Sequence, residues 1–183
     1  MTRLQGYQRG TSAALRPGTP LALAARAAAI VLGVAALALA QPPNPVTLSA
    51  SAKVTQVKPG VKLDIDLVAR ISDGWHVYSI TQPAPPIATR VELAPGQPYT
   101  LEGDIGGPAP SVAFDESAGM TVETYEGEAA FTLPIRVAAK AAPGRVPVRV
   151  QMRYQSCDGK ICLPPKTLTV EVPLEIVAAT PPK

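Results

Sequence analysis

The two cysteines of this 183-residue chain, Cys157 and Cys162, lie in the stretch Tyr154–Pro165, YQSCDGKICLPP. Two thiols at this spacing can hold a metal, form a structural disulfide or form a redox-active one. A closed zinc site takes four ligands, mostly Cys and His. The chain offers two Cys and one His, His76, so a site within one chain would have to recruit carboxylates, and no metal is expected. As a staple the pair is weak: closing a loop of only six residues constrains the unfolded chain by roughly 2 kcal/mol, against about 4 kcal/mol for a bridge closing some seventy. Asp158-Gly159 is a tight-turn signal that brings the flanking residues side by side. Lys160 sits inside the loop, with Arg153 and Lys166 close in sequence. Positive charge favours the thiolate, the species that attacks disulfides; the adjacent Asp158 opposes it. The residues alone leave the structural and redox readings both open.

The elements that must position the pair read as strands. Val61, Leu63, Ile65 and Leu67 alternate with Lys62, Asp64 and Asp66. Val146, Val148, Val150, Met152 and Tyr154 alternate with polar residues, as do Leu168, Val170, Val172, Leu174 and Ile176. Period-two alternation marks half-buried strands. Further strands are expected at Val46–Val57, Trp75–Ile80, Ala88–Ala94, Thr121–Tyr125 and Glu128–Val137. Turn signals separate them at Pro59-Gly60, Asp73-Gly74, Pro95-Gly96, Glu126-Gly127 and Pro143-Gly144. No long helical pattern follows residue 40, so the expected class is all-β, an immunoglobulin-like β-sandwich. Carried on from Val148, the strand phase places Cys157 outward with Arg153 and Gln155, which favours an accessible pair.

Residues 1–40 carry Arg3, Arg9, Arg16 and Arg26, no acid, and the apolar or glycine run Ala27–Ala40 ending in Ala38-Leu39-Ala40. A basic segment, a short apolar core and a small-x-small end read as a secretory signal peptide cleaved after Ala40. The run is short for a membrane span of about twenty residues; the alternative is an uncleaved anchor lengthened by Leu21–Ala25. Export makes a lasting disulfide feasible. Of 17 basic and 14 acidic residues, four basic ones precede Gln41, leaving 13 against 14, a net of −1. That balance argues against nucleic-acid binding, which wants a basic face on the folded domain. Residues 41–45 (QPPNP) read as a linker, 46–177 as one domain and 178–183 as a frayed tail.

Other candidates are weaker. Gly103–Pro108 (GDIGGP) precedes no helix, against a phosphate loop. Asp115 and Glu116 read as a solvated acidic pair. His76 lies in a strand beside Trp75 and Tyr78, and a lone His is more often packed than ligating. One His and no nucleophile motif exclude a Ser/His/Asp triad. No cofactor is expected.

Three stretches in order, DGWHVYS (Asp73–Ser79), YEGEAAFTLPI (Tyr125–Ile135) and YQSCDGKICLPP, resemble the N-terminal periplasmic domain of the thiol:disulfide interchange protein DsbD. The resemblance covers roughly Val46–Val177, and its specific part is Tyr-Gln-x-Cys followed by Cys-x-Pro-Pro. It implies an immunoglobulin-like fold whose cysteine pair shuttles between dithiol and disulfide, the work of a protein-disulfide reductase. It implies electron transfer with thioredoxin-like periplasmic oxidoreductases, cytochrome c biogenesis among the processes served. Cys162 is then the nucleophile and Cys157 the resolving residue, with His76, Tyr78 and Tyr154 in support. The family's cap loop, whose aromatic residue shields the disulfide, falls at Phe114–Met120 (FDESAGM). Phe114 is the candidate aromatic there, although direct alignment puts small residues at that position. The family's membrane electron-transfer and C-terminal thioredoxin domains have no counterpart before Lys183, so the resemblance implies a membrane electron donor acting in trans. Two other readings stand beside it: a non-catalytic periplasmic binding or assembly domain with a structural hairpin disulfide, and a metal carrier using the two thiols with His76.

Overall fold

In Glu128–Val137 every second side chain, from Ala129 through Phe131, Leu133 and Ile135 to Val137, is buried, while those between remain partly or fully exposed. Lys62–Ile71 does the same with Ile65, Leu67, Ala69 and Ile71, and Val148–Tyr154 with Val148, Val150, Met152 and Tyr154. Each fully buried aliphatic or aromatic side chain contributes about 1.5–3 kcal/mol, so these three stretches dominate the burial that drives folding. The computed structural model describes residues 44–116 and 118–178; the expected signal peptide, its cleavage site and most of the expected tail lie outside them.

Antiparallel pairing arranges β1 (Val46–Ala52), β3 (Lys62–Ile71), β9 (Glu128–Val137) and β6 (Tyr99–Leu101) into one sheet in the order β1-β3-β9-β6. A second sheet orders β13 (Lys166–Val172), β11 (Val148–Tyr154) and β5 (Arg90–Leu93). The inner faces of both sheets meet in one core, with Ile65, Leu67, Leu133 and Ile135 from the first and Val150 and Met152 from the second. The fold is the all-β, immunoglobulin-like sandwich that the alternation predicts.

A third sheet orders β12 (Ser156–Cys157), β4 (His76–Tyr78), β8 (Met120–Glu126) and β7 (Ser111–Asp115). One of its faces gives Val77 and Tyr125 to the main core, where Tyr125 meets Phe131 edge to face with centroids 5.6 Å apart. Its other face carries a separate cluster of Tyr78, Val122 and Cys157. A small ribbon joins β10 (Gly144–Arg145), β14 (Glu175–Ile176) and β2 (Gln56–Val57), with β14 and β2 parallel.

Two expected strands are divided. Val46–Val57 becomes β1 and β2, and the run from Leu168 to Ile176 breaks at Pro173 into β13 and β14, which pair in different sheets. Proline has no N–H to give a ladder, so the chain changes partners there. Val61 is exposed because the strand begins only at Lys62, after the turn at Gly60. The glycine-rich stretch Gly103–Pro108 serves the sandwich: Gly106 bridges to Thr132, and a Cβ on Gly107 would stand 3.0 Å from Phe131 Cδ1.

Candidate functional site

The chain leaves β11 at Tyr154 and crosses at Gln155 into the third sheet, where Ser156 pairs with Val77 and Cys157 with His76. A turn then returns it so that Cys162 lies opposite Cys157. Asp158 builds the turn: its Oδ1 accepts the backbone N–H of Lys160 at 2.9 Å and of Ile161 at 2.8 Å. Gly159 takes φ 80°, the left-handed conformation such a turn requires. Leu163 N–H donates to Ser156 O at 2.9 Å and closes the hairpin. The Asp158 carboxyl is held below its ordinary pKa, first by the Ile161 N–H and then by the Lys160 N–H. Its charge is therefore committed to the turn.

Cys157 and Cys162 form a disulfide, S–S 2.02 Å, with Cα atoms 4.1 Å apart. The two halves differ in environment. Cys157 is 1% exposed, whereas Cys162 is exposed, between Ile161 at 57% and half-buried Leu163. This corrects the outward phase expected for Cys157. That phase holds only while one strand continues, and Ser156–Cys157 belongs to a different strand in a different sheet, with both residues buried.

Register places the neighbours. Residues on one face of a strand alternate, and directly opposed residues share a face. His76 and Tyr78 therefore lie on the face that carries Cys157, and Val77 on the core face. Tyr78 Oη is 3.5 Å from Cys157 Sγ and 4.0 Å from Cys162 Sγ, within reach of both sulfurs. The His76 ring stands edge-on to the Tyr78 ring, centroids 5.7 Å apart. Burial raises the Tyr78 phenol pKa, and the charge of Asp115 raises it further, so the hydroxyl stays a protonated donor.

Asp115, expected as one of a solvated acidic pair, is instead a neighbour of the site. It ends β7, half-buried opposite Met120, on the same face as Val122 and Tyr78. The signal was available in the alternation of Ser111–Asp115, but its apolar members, Val112 and Phe114, are each 64% exposed and mark no buried face. Phe114 pairs with Thr121, one residue out of phase with Val122, and so faces away from the disulfide side of the sheet. Tyr154 packs in the main core rather than in the cluster of Cys157, and its hydroxyl has no hydrogen-bond partner among the described residues. Among the described residues no group of three or more His, Cys, Asp and Glu side chains is placed to hold a metal ion.

Behind the site, Ser79 Oγ donates to Glu123 Oε2 at 2.7 Å, and Thr81 Oγ1 donates to the same oxygen. Those two hydroxyls, Thr81 before Ser79, hold the Glu123 carboxyl below its ordinary pKa. Gln82 Oε1 accepts the Glu123 N–H at 2.6 Å, and Thr89 Oγ1 donates to Tyr78 O at 2.5 Å. These bonds fix β4 against β8 and so fix where Tyr78 stands.

Residues 44–174 match the family model described as thiol:disulfide interchange protein DsbD, N-terminal. Among solved structures, the reduced N-terminal domain of Neisseria meningitidis DsbD is similar at 20% identity and TM-score 0.46, covering 78% of this chain and 98% of that one. The N-terminal periplasmic domain of ScsB from Proteus mirabilis is similar at 18% identity and TM-score 0.47, covering 75% of this chain and 49% of that one. No match was found among curated proteins.

Proposed function

The chain belongs to the family of DsbD N-terminal domains, and from that premise we propose that it is a periplasmic thiol–disulfide exchange module working through Cys157 and Cys162. Cys162 is the attacking sulfur. In the dithiol form its thiolate attacks a disulfide of a thioredoxin-like oxidoreductase, forming a mixed disulfide and releasing the partner's second thiolate. Cys157 then attacks Cys162 Sγ, closes the intramolecular disulfide and leaves the partner as a dithiol. Two electrons pass outward; a membrane electron-transfer protein returns them by the reverse exchange.

The observation that carries this reading is the asymmetry of the bridge, with Cys162 exposed and Cys157 buried at 1%. An incoming thiolate meets the exposed residue first, which supports this order of steps. Tyr78 supports the exchange because its hydroxyl lies within hydrogen-bond reach of either sulfur as negative charge develops there. Exchange rates depend on which sulfur is attacked and on access to it.

Trapping tests the proposal. Cys157→Ser should accumulate mixed disulfides with thioredoxin-like partners on Cys162, while Cys162→Ser should accumulate none. Equal trapping by both variants, or none by either, would return the pair to a structural hairpin bond.

A further inference from the structure

His76 stands directly opposite Cys157 on β4 as its register partner, on the strand edge away from Cys162. Directly opposed residues in an antiparallel pair hold their Cβ atoms about 4.5–5.5 Å apart on the same face. His76 Nε2 is buried and has no hydrogen-bond partner among the described residues. A buried polar atom left without a partner costs free energy and calls for an explanation, a catalytic role among them. The exchange chemistry supplies one. Once Cys162 is tied up in a mixed disulfide, Cys157 must lose its thiol proton in a buried setting, where burial disfavours the thiolate.

We propose that His76 is the proton acceptor for Cys157 in the resolving step. As Cys157 Sγ bonds to Cys162 Sγ, the Cys162–partner bond breaks and its electron pair leaves on the partner's thiolate. The Cys157 proton passes to Nε2 of the neutral imidazole and then to solvent. This assignment rests on the exchange reading above. Of the other titratable groups, Glu126 lies opposite His76 on β8 and Tyr78 lies two residues along its own strand, while the charge of Asp115 reaches Tyr78 from β7.

The two steps separate with a bis(nitrobenzoate) disulfide as probe. The reduced protein releases one coloured thiolate when Cys162 attacks and a second when Cys157 resolves. His76→Phe is expected to leave the first release within about twofold and to slow the second by on the order of tenfold or more. His76→Gln, which keeps a polar side chain but cannot take the proton, should behave alike. In both variants the pH–rate profile of the second release should follow the ionisation of the Cys157 thiol alone and so differ from that of the wild-type protein. A second release that keeps its rate and its pH dependence in His76→Gln overturns the assignment, and that variant serves alone if His76→Phe does not fold. Failure of the first release in wild-type protein, or a second release surviving Cys157→Ser, would instead sink the exchange reading itself.

Discussion

Reducing the disulfide should leave the sandwich standing. The bond joins residues five apart in sequence, so its constraint on the unfolded chain is worth roughly 2 kcal/mol. Opening it strips nothing from the main core: Cys157 packs in the small cluster with Tyr78 and Val122, and Cys162 is already exposed. A domain of this size is ordinarily stable by about 5–15 kcal/mol, which survives such a loss. With an unfolding entropy of about 2 cal/mol/K per residue, the melting temperature should fall by about 7 °C. Thermal melts followed by circular dichroism, on oxidised protein and on protein held in excess reductant, measure the difference. The Cys157→Ser, Cys162→Ser double variant should melt with the reduced form. A reduced protein with no cooperative melt, or one lowered by more than ~20 °C, would show that the bond holds the fold together and refute the reasoning.

Two further predictions concern the scaffold. Gly107→Ala places a Cβ 3.0 Å from Phe131 Cδ1 and 3.2 Å from its Cε1, beside a ring only 1% exposed, so overpacking should cost about 1–3 kcal/mol in chemical denaturation. Glu102 is held at a pKa of about 2, against 4.5, by its hydrogen bonds to Arg136 and then Lys62. Because the folded value is depressed, its stabilisation is present above about pH 4.5 and lost as pH falls through about 2. Stability measured down that range should fall less steeply in Glu102→Gln than in wild type.

The sandwich was legible because its central strands are buried on one face. Ile65 and Leu67, Leu133 and Ile135, Val150 and Met152 announce themselves by alternation alone, and Asp158-Gly159 announces the turn between the cysteines. What escaped depends on which sheet a strand joins. Cys157 looked outward from β11 but is buried beside β4, because two residues after Tyr154 are enough to change sheets. Asp115 looked like loop but ends an edge strand with exposed apolar residues, so no local pattern tied it to Tyr78 thirty-seven residues away. Phe114 was the natural aromatic to place over the disulfide, yet its register with Thr121 turns it to the other face. Tyr78 was expected near the pair through the family resemblance carried by DGWHVYS; its approach to both sulfurs is a property of the folded sheet.

The central claim is that the Cys157–Cys162 bond opens and closes in the protein's working cycle, and its reduction potential tests that most directly. Equilibration with glutathione redox buffers, read by alkylating the free thiols, should give a value between about −120 and −270 mV, the span of exchange-active pairs. A value well below about −300 mV would place it among inert structural bridges and contradict the account.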